Sequence, residues 1–200
     1  GDDTIDGSEG QDVVEFLGSM ANFTVAVAVD GTLTVTDTTT MEGTDVISGV
    51  ERLRFSDGEL AVATGEDGYV TLTDALGQNQ DVVTIIGPQA VTLEGLAGDD
   101  ILTGGDGDDI IDGALGDDTI DGGLGDDTIT AAEGEDTIYG SAGDDTITGD
   151  AGNDYIDGGA DDDSIDGGLG DDHLVGGAGD DTITGSEGQD VVEFLGSMAN

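Results

Sequence analysis

One apolar residue recurs at every ninth position through the second half of the chain: Leu102, Ile111, Ile120, Ile129, Ile138, Ile147, Ile156, Ile165, Leu174, Ile183 and Val192. Its two neighbours are mostly polar, so each apolar position centres a short stretch with the period of two that a β-strand requires. Glycines and aspartates fill the intervals. Written as GGxGxDxUx with U apolar, eleven copies begin at Gly95, Gly104, Gly113, Gly122, Ala131, Gly140, Gly149, Gly158, Gly167, Gly176 and Gly185. One copy reads as a turn plus a three-residue strand. Such a strand buries too little to stand alone, and the pattern predicts stacking. Two nonapeptides form a coil of about eighteen residues, coils stack at about 4.8 Å, apolar side chains form an inner ladder, and the turns line up in two columns, one along each edge.

The segment 16–94 alternates differently. Phe23 to Val29 and Thr32 to Thr36 flank Asp30-Gly31, which predicts a β-hairpin. Residues 43–62 read as further short strands, with Val50, Leu53 and Phe55 inward. Between Tyr69 and Leu93, the positions Val70, Leu72, Val82 to Ile86, Val91 and Leu93 suggest strands leading into the repeats, with a turn at Gly87-Pro88. No window carries a helical stripe, so the expected fold class is all-β: a parallel β-roll, or β-solenoid, plus a strand and hairpin segment.

A longer repetition is superimposed. Residues 1–22 recur as 179–200 with only Asp6 changed, to Thr184, an offset of 178 residues. Gly1, Asp3 and Ile5 occupy the fourth, sixth and eighth positions of a truncated nonapeptide. The expected organisation is the end of a preceding roll at 1–15, the hairpin segment at 16–94, a roll of eleven nonapeptides at 95–193 and the start of the next unit at 194–200. The chain reads as a slice of a tandem array of near-identical 178-residue units.

Charge adds the chemistry. The chain has 2 basic and 48 acidic residues, for a formal charge of −46. That composition alone describes a disordered acidic tail, but disorder needs no apolar residue held in strict register. The sixth position is always aspartate: Asp100, Asp109, Asp118, Asp127, Asp136, Asp145, Asp154, Asp163, Asp172, Asp181 and Asp190. Glycines at the first, second and fourth positions are expected to allow positive φ and to curl the backbone so that its carbonyls face one point. Carbonyls plus one carboxylate make a flexible all-oxygen cage, suited to a hard cation of calcium size and too loose for magnesium. Self-repulsion opposes folding without that cation, so metal binding becomes folding free energy.

In these nonapeptides the chain resembles the RTX (repeats-in-toxin) family over about half its length. The resemblance implies a calcium β-roll with ions held between loops one coil apart. One loop gives its second- and fourth-position carbonyls and its aspartate; the other gives its first- and third-position carbonyls and its aspartate. Carried over, Gly105, Gly107 and Asp109 face Gly122, Leu124 and Asp127, and Gly123 and Gly125 with Asp127 face Gly140 and Ala142 with Asp145. Asp3 and Asp12 take the same role in the truncated roll. Paired this way, the loops imply on the order of nine Ca2+ ions with about six oxygen ligands each. Two loops depart: the one at Ala131 lacks both leading glycines, and the one at Gly158 has Asp161 at the fourth position.

Catalysis finds no foothold. The chain has no cysteine, no HExxH, no GxSxG and a single histidine, His173, at an outward position. The charge disfavours nucleic acid, and no apolar run approaches membrane-spanning length, so membrane insertion is not expected. Arg52 and Arg54 flank Leu53 and point outward to nearby carboxylates. The resemblance implies export by type I secretion and an extracellular or cell-surface location. Three functions fit: a calcium-rigidified repeat of a fibre, surface layer or adhesin stalk, whose partners are neighbouring copies of itself; a secretion and folding module of a toxin, protease or lipase; and a ligand-binding adhesin domain. Near-identity of the units favours the first, because a stalk or lattice reuses one geometry.

Overall fold

The computed structural model of the chain describes residues 2–8, 11–19, 23–28, 32–39, 43–48, 52–54, 59–64, 70–74, 82–86 and 90–193. All regular structure in them is β. Strands β1 (Thr4–Asp6) and β2 (Val13–Glu15) come first. The middle segment supplies β3 (Phe23–Val27), β4 (Leu33–Asp37), β5 (Thr44–Ser48), β6 (Arg52–Arg54), β7 (Glu59–Thr64), β8 (Val70–Asp74), β9 (Val82–Ile86) and β10 (Val91–Glu94). The nonapeptides follow with β11 (Ile101–Gly105), β12 (Ile110–Leu115), β13 (Thr119–Leu124), β14 (Thr128–Glu133), β15 (Thr137–Ala142) and β16 (Thr146–Ala151). The roll ends with β17 (Tyr155–Ala160), β18 (Ser164–Leu169), β19 (His173–Ala178), β20 (Thr182–Glu187) and β21 (Val191–Glu193).

From β9 onward the strands alternate between two sheets, and every pair within a sheet is parallel. One sheet has eleven strands in the order β1-β5-β4-β3-β9-β11-β13-β15-β17-β19-β21; the other has ten, β2-β6-β7-β8-β10-β12-β14-β16-β18-β20. Residues pair with those one coil on, as in Ile120↔Ile138 and Leu124↔Ala142. The β-roll expected from the nonapeptide is present. Its inner ladder runs from Leu102 through Leu174, each residue at most 2% exposed. Burying each of these side chains is worth roughly 2 kcal/mol.

The strands differ from the three-residue expectation. Most repeat strands have six residues and run from the seventh position through the third position of the next nonapeptide; in Thr119–Leu124, Ile120 and Gly122 are buried while Thr119 and Leu124 are exposed. The turn proper needs only the fourth to sixth positions. The first-position glycine therefore faces inward as a strand residue, on the same side as the buried isoleucine.

The middle segment is built into the same two sheets. The predicted hairpin is present as β3 against β4, antiparallel, with Val25 opposite Val35. Strands β3-β4-β5 form one antiparallel meander and β6-β7-β8 the other. Each joins the roll through a parallel pair, β3 with β9 and β8 with β10. Leu53 is buried as expected, as are Val83, Ile85, Val91 and Leu93. At the far side β1 pairs in parallel with β5, and β2 with β6. Val50, Phe55, the Asp30-Gly31 and Gly87-Pro88 turns and residues 194–200 lie outside the described residues.

Candidate metal centre

Most turns are shaped by two left-handed positions. Glycines at the second position, such as Gly105 (φ 124°) and Gly123 (φ 110°), and at the fourth, such as Gly116 (φ 130°) and Gly125 (φ 113°), have positive φ. Ala114 (φ 73°), Ala132 (φ 83°), Ser141 (φ 79°) and Asp150 (φ 69°) adopt it at the second position, and Asp161 (φ 82°) at the fourth. The left-handed backbone costs a non-glycine residue about 1–2 kcal/mol, so these sites are held by their surroundings.

The first-position glycine has a different reason, which corrects the sequence expectation of positive φ there. A methyl group on Gly104 collides with Asp109 Oδ2 and with the Gly122 carbonyl oxygen; on Gly95 it lies 2.7 Å from both Asp100 Oδ2 and the Gly113 carbonyl oxygen. The missing side chain is the space into which a carboxylate oxygen and the carbonyl from one coil later both project.

The sixth-position aspartates form two ladders, one in each column of turns. Each backbone N–H donates to Oδ1 of the aspartate one coil on: Asp109 to Asp127 at 2.7 Å, Asp127 to Asp145 at 2.8 Å and Asp154 to Asp172 at 2.9 Å. That fixes the carboxyl plane and commits only one oxygen. Oδ2 of Asp109, Asp118, Asp127, Asp136, Asp145, Asp154, Asp163 and Asp172 is buried without a hydrogen-bond partner. Burial, opposed by the backbone N–H bond and reinforced by neighbouring aspartates, raises these acids: Asp127 to about 8, Asp109 and Asp118 to about 7, and Asp145, Asp154 and Asp163 to about 6.

The expected ligands converge in part. Carbonyls of Gly105 and Gly107 point toward Gly123 and Gly125 of the next coil, while the Gly122 carbonyl points back beside Asp109 Oδ2. The Gly125 carbonyl points on toward Gly143, and the Gly140 carbonyl points back beside Asp127 Oδ2. Ala142, by contrast, accepts a hydrogen bond from the Gly125 N–H at 2.9 Å, which leaves one lone pair on its carbonyl. Leu124 holds the same third position. Asp181 and Asp190 are half-buried at the last coil, Asp12 is half-buried, and Asp3 is exposed. The two departing loops keep the architecture: Asp136 is 2% exposed despite Ala131, and the Asp161 carbonyl still points at Gly179.

Two sets of residues escaped the sequence reading. Fifth-position acids make a second, outer ladder running the opposite way: Asp117 N–H donates to Asp99 Oδ1 at 3.1 Å, Asp126 to Asp108 at 3.0 Å and Glu135 to Asp117 at 2.8 Å. The recurring Asp-Asp pair was the signal. The other is Asp45, 8% exposed, whose Oδ1 accepts the Asp3 N–H at 2.9 Å while Asp2 Oδ1 accepts the Thr44 N–H at 3.0 Å. With Gly43 at φ 102°, Gly43-Thr44-Asp45 reproduces the fourth to sixth nonapeptide positions. The string GTDVI carried it, hidden by the loss of the leading glycines.

His173 is partly exposed, packs edge-on against Tyr155 with ring centroids 5.3 Å apart and meets Glu193 at 3.2 Å. Among the described residues no three His, Cys, Asp or Glu side chains group as a metal site of side chains alone requires. A cation between these loops would draw on main-chain carbonyls. The residues fit that demand: buried, uncommitted carboxylate oxygens beside inward carbonyls, all hard oxygen donors. Held there, a divalent ion would supply the positive charge that otherwise has to come from protons.

A family model of the RTX calcium-binding nonapeptide repeat matches residues 1–16, 92–120, 112–147, 130–165, 139–174 and 166–194, more than half of the chain. Comparison with curated proteins finds no match.

Proposed function

The chain belongs to the RTX calcium-binding nonapeptide repeat family, and we propose that it is a calcium-dependent structural repeat of a secreted or cell-surface fibre, layer or adhesin stalk. The observation that carries this reading is the pair of columns of buried, uncommitted Asp Oδ2 atoms, Asp109, Asp127, Asp145 and Asp163 along one edge and Asp118, Asp136, Asp154 and Asp172 along the other. An uncompensated buried carboxylate is expensive, and a column of them in register destabilises the stack unless cations bridge it. The sixth-position aspartates are their carboxylate ligands. Second- and fourth-position carbonyls of one loop, with first-position carbonyls of the loop one coil on, complete each cage. On the order of nine ions load a unit.

The consequence is a switch keyed to location. Where calcium is scarce the chain is extended, as a secretion channel requires; where it is abundant the ions clamp successive coils and the roll becomes rigid. Near-identity of residues 1–22 and 179–200 supports use as a spacer, since nothing in a reused geometry singles out one copy. Circular dichroism during calcium titration tests this. The expected result is a coil spectrum in chelator at pH 8 that turns to β with a steep, cooperative calcium dependence; a β spectrum already complete in chelator at that pH overturns it.

A further inference from the structure

We propose that the strand edge formed by β20 and β21 is the seat of a second copy of this unit, which docks its β5 and β6 there with the two sheets exchanged. The chain already contains the seated form. Strands β1 and β2 have the sequences of the start of β20 and of β21, with Asp6 in place of Thr184, and they are covered: Ile5 pairs with Ile47 and Val14 with Leu53. Both covering residues are buried, at 1% and 0% exposure. At the other end Val192 is 37% exposed and Ile183 is partly buried, as Ile5 and Val14 are, whereas the same position is closed from Leu102 to Leu174. Among the described residues, strands β20 and β21 are each the outermost strand of their sheet.

The polar contacts transfer as well. Asp2 and Asp3 correspond to Asp180 and Asp181. At the seated end Asp3 N–H donates to Asp45 Oδ1, Thr44 N–H to Asp2 Oδ1, Val46 N–H to the Asp3 carbonyl at 2.9 Å and Gly7 N–H to the Ser48 carbonyl at 2.9 Å. A second copy's Gly43 to Ser48 therefore finds on Asp180, Asp181 and Thr182 to Gly185 the same partners, and its Asp45 extends the aspartate ladder by one rung. A strand edge is a template for such addition, and the pairing that this sequence makes is on view at β1 and β2.

Exchange of the sheets follows from topology. β1 lies in the eleven-stranded sheet, but β20 lies in the ten-stranded one; β2 and β21 are reversed likewise. The chain crosses between sheets an odd number of times per unit, so each unit hands its two sheets to the next in swapped order. Outward features of one sheet, such as the Tyr139, Tyr155 and His173 row, then emerge on opposite sides of successive units. The rise per unit, nine steps from β1 to β20 and ten from β2 to β21, averages nine and a half strand positions at about 4.8 Å, or roughly 46 Å.

Cysteine pairs in the full chain, which has none of its own, test the seat. Ile5→Asp with Val14→Asp unseats β1 and β2 and opens β5 and β6 to another molecule. In that background Thr182→Cys with Val46→Cys reports exchanged sheets, because Thr4 faces Val46 in the seated form. Thr182→Cys with Arg52→Cys reports sheets running straight through. Register partners on adjacent strands are within disulfide reach. In calcium, oxidation of the first pair is expected to yield a ladder of linked oligomers and the second to stay monomeric; the reverse, or monomers from both in folded protein, overturns the inference. Should the aspartates prevent folding, the same cysteine pairs in the otherwise unchanged chain, mixed in chelator and refolded with calcium, give the same discrimination. The inference rests on the calcium-folded roll. Loss of the calcium-induced β spectrum defeats the proposed function, whereas a folded roll without the first cross-link defeats only the seat.

Discussion

Among single residues, the first-position glycine and the sixth-position aspartate are one device: the first leaves the space and the second fills it with an oxygen. Gly104→Ala is expected to push Asp109 Oδ2 aside, raising the calcium midpoint several-fold, because overpacking a tight site costs about 1–3 kcal/mol. Ala131→Gly is expected to lower it; isothermal titration of the two variants checks both directions. Protonation follows the same geometry with a sign opposite to that of a salt-bridged aspartate. Asp127 at about 8 and Asp109 and Asp118 at about 7 sit above the ordinary 3.8, so the metal-free roll holds protons that the unfolded chain has released. That stabilisation is full below about pH 3.8 and is lost as pH rises through about 6 to 8. Acid therefore replaces calcium in part: β structure in chelator is expected at pH 5 and not at pH 8. Calcium, competing with those protons, is expected to bind more tightly at pH 8 than at pH 6, with proton release measurable in weak buffer; equal midpoints at the two pH values contradict this.

An element here is a six-residue strand that touches its neighbours one coil away and little else, so its stability depends on place in the stack. Ile138, 0% exposed at mid-roll, is expected to cost about 2–5 kcal/mol on replacement by alanine. Ile183, half covered at the last coil, is expected to cost less than half as much. Urea denaturation of both variants in saturating calcium measures the difference, and near-additive nearest-neighbour behaviour follows from the one-dimensional stack. The same logic explains the misread strand length. A period of nine places one apolar residue per strand in view, but the inward partner at the first position is a glycine, which carries no hydropathic signal. The strand is visible only once the aspartate is seen filling that place.

Over the whole molecule, a charge of −46 is expected to expand the metal-free chain by self-repulsion, and calcium to contract it. Small-angle scattering is expected to give a radius of gyration near 48 Å in chelator, the value for about 200 unfolded residues, and less than half of it in calcium. Molar monovalent salt screens the repulsion yet leaves the buried Oδ2 atoms uncompensated, so salt alone is expected not to restore the β spectrum. The sequence by itself determined the period, the inward ladder from Leu102 to Leu174 and the two columns of sixth-position aspartates, because each is a local pattern repeated until only stacking satisfies it. It also carried the hairpin at β3 and β4, whose alternation and turn residues are contiguous. Tertiary structure alone decided that β3 to β8 are built into both sheets of the roll, that Asp45 joins the aspartate ladder and that β1 and β20, alike in sequence, lie in different sheets. Those outcomes depend on which strand lies beside which across some forty residues of intervening chain, and pairing between distant backbone edges leaves no periodic trace in the order of side chains.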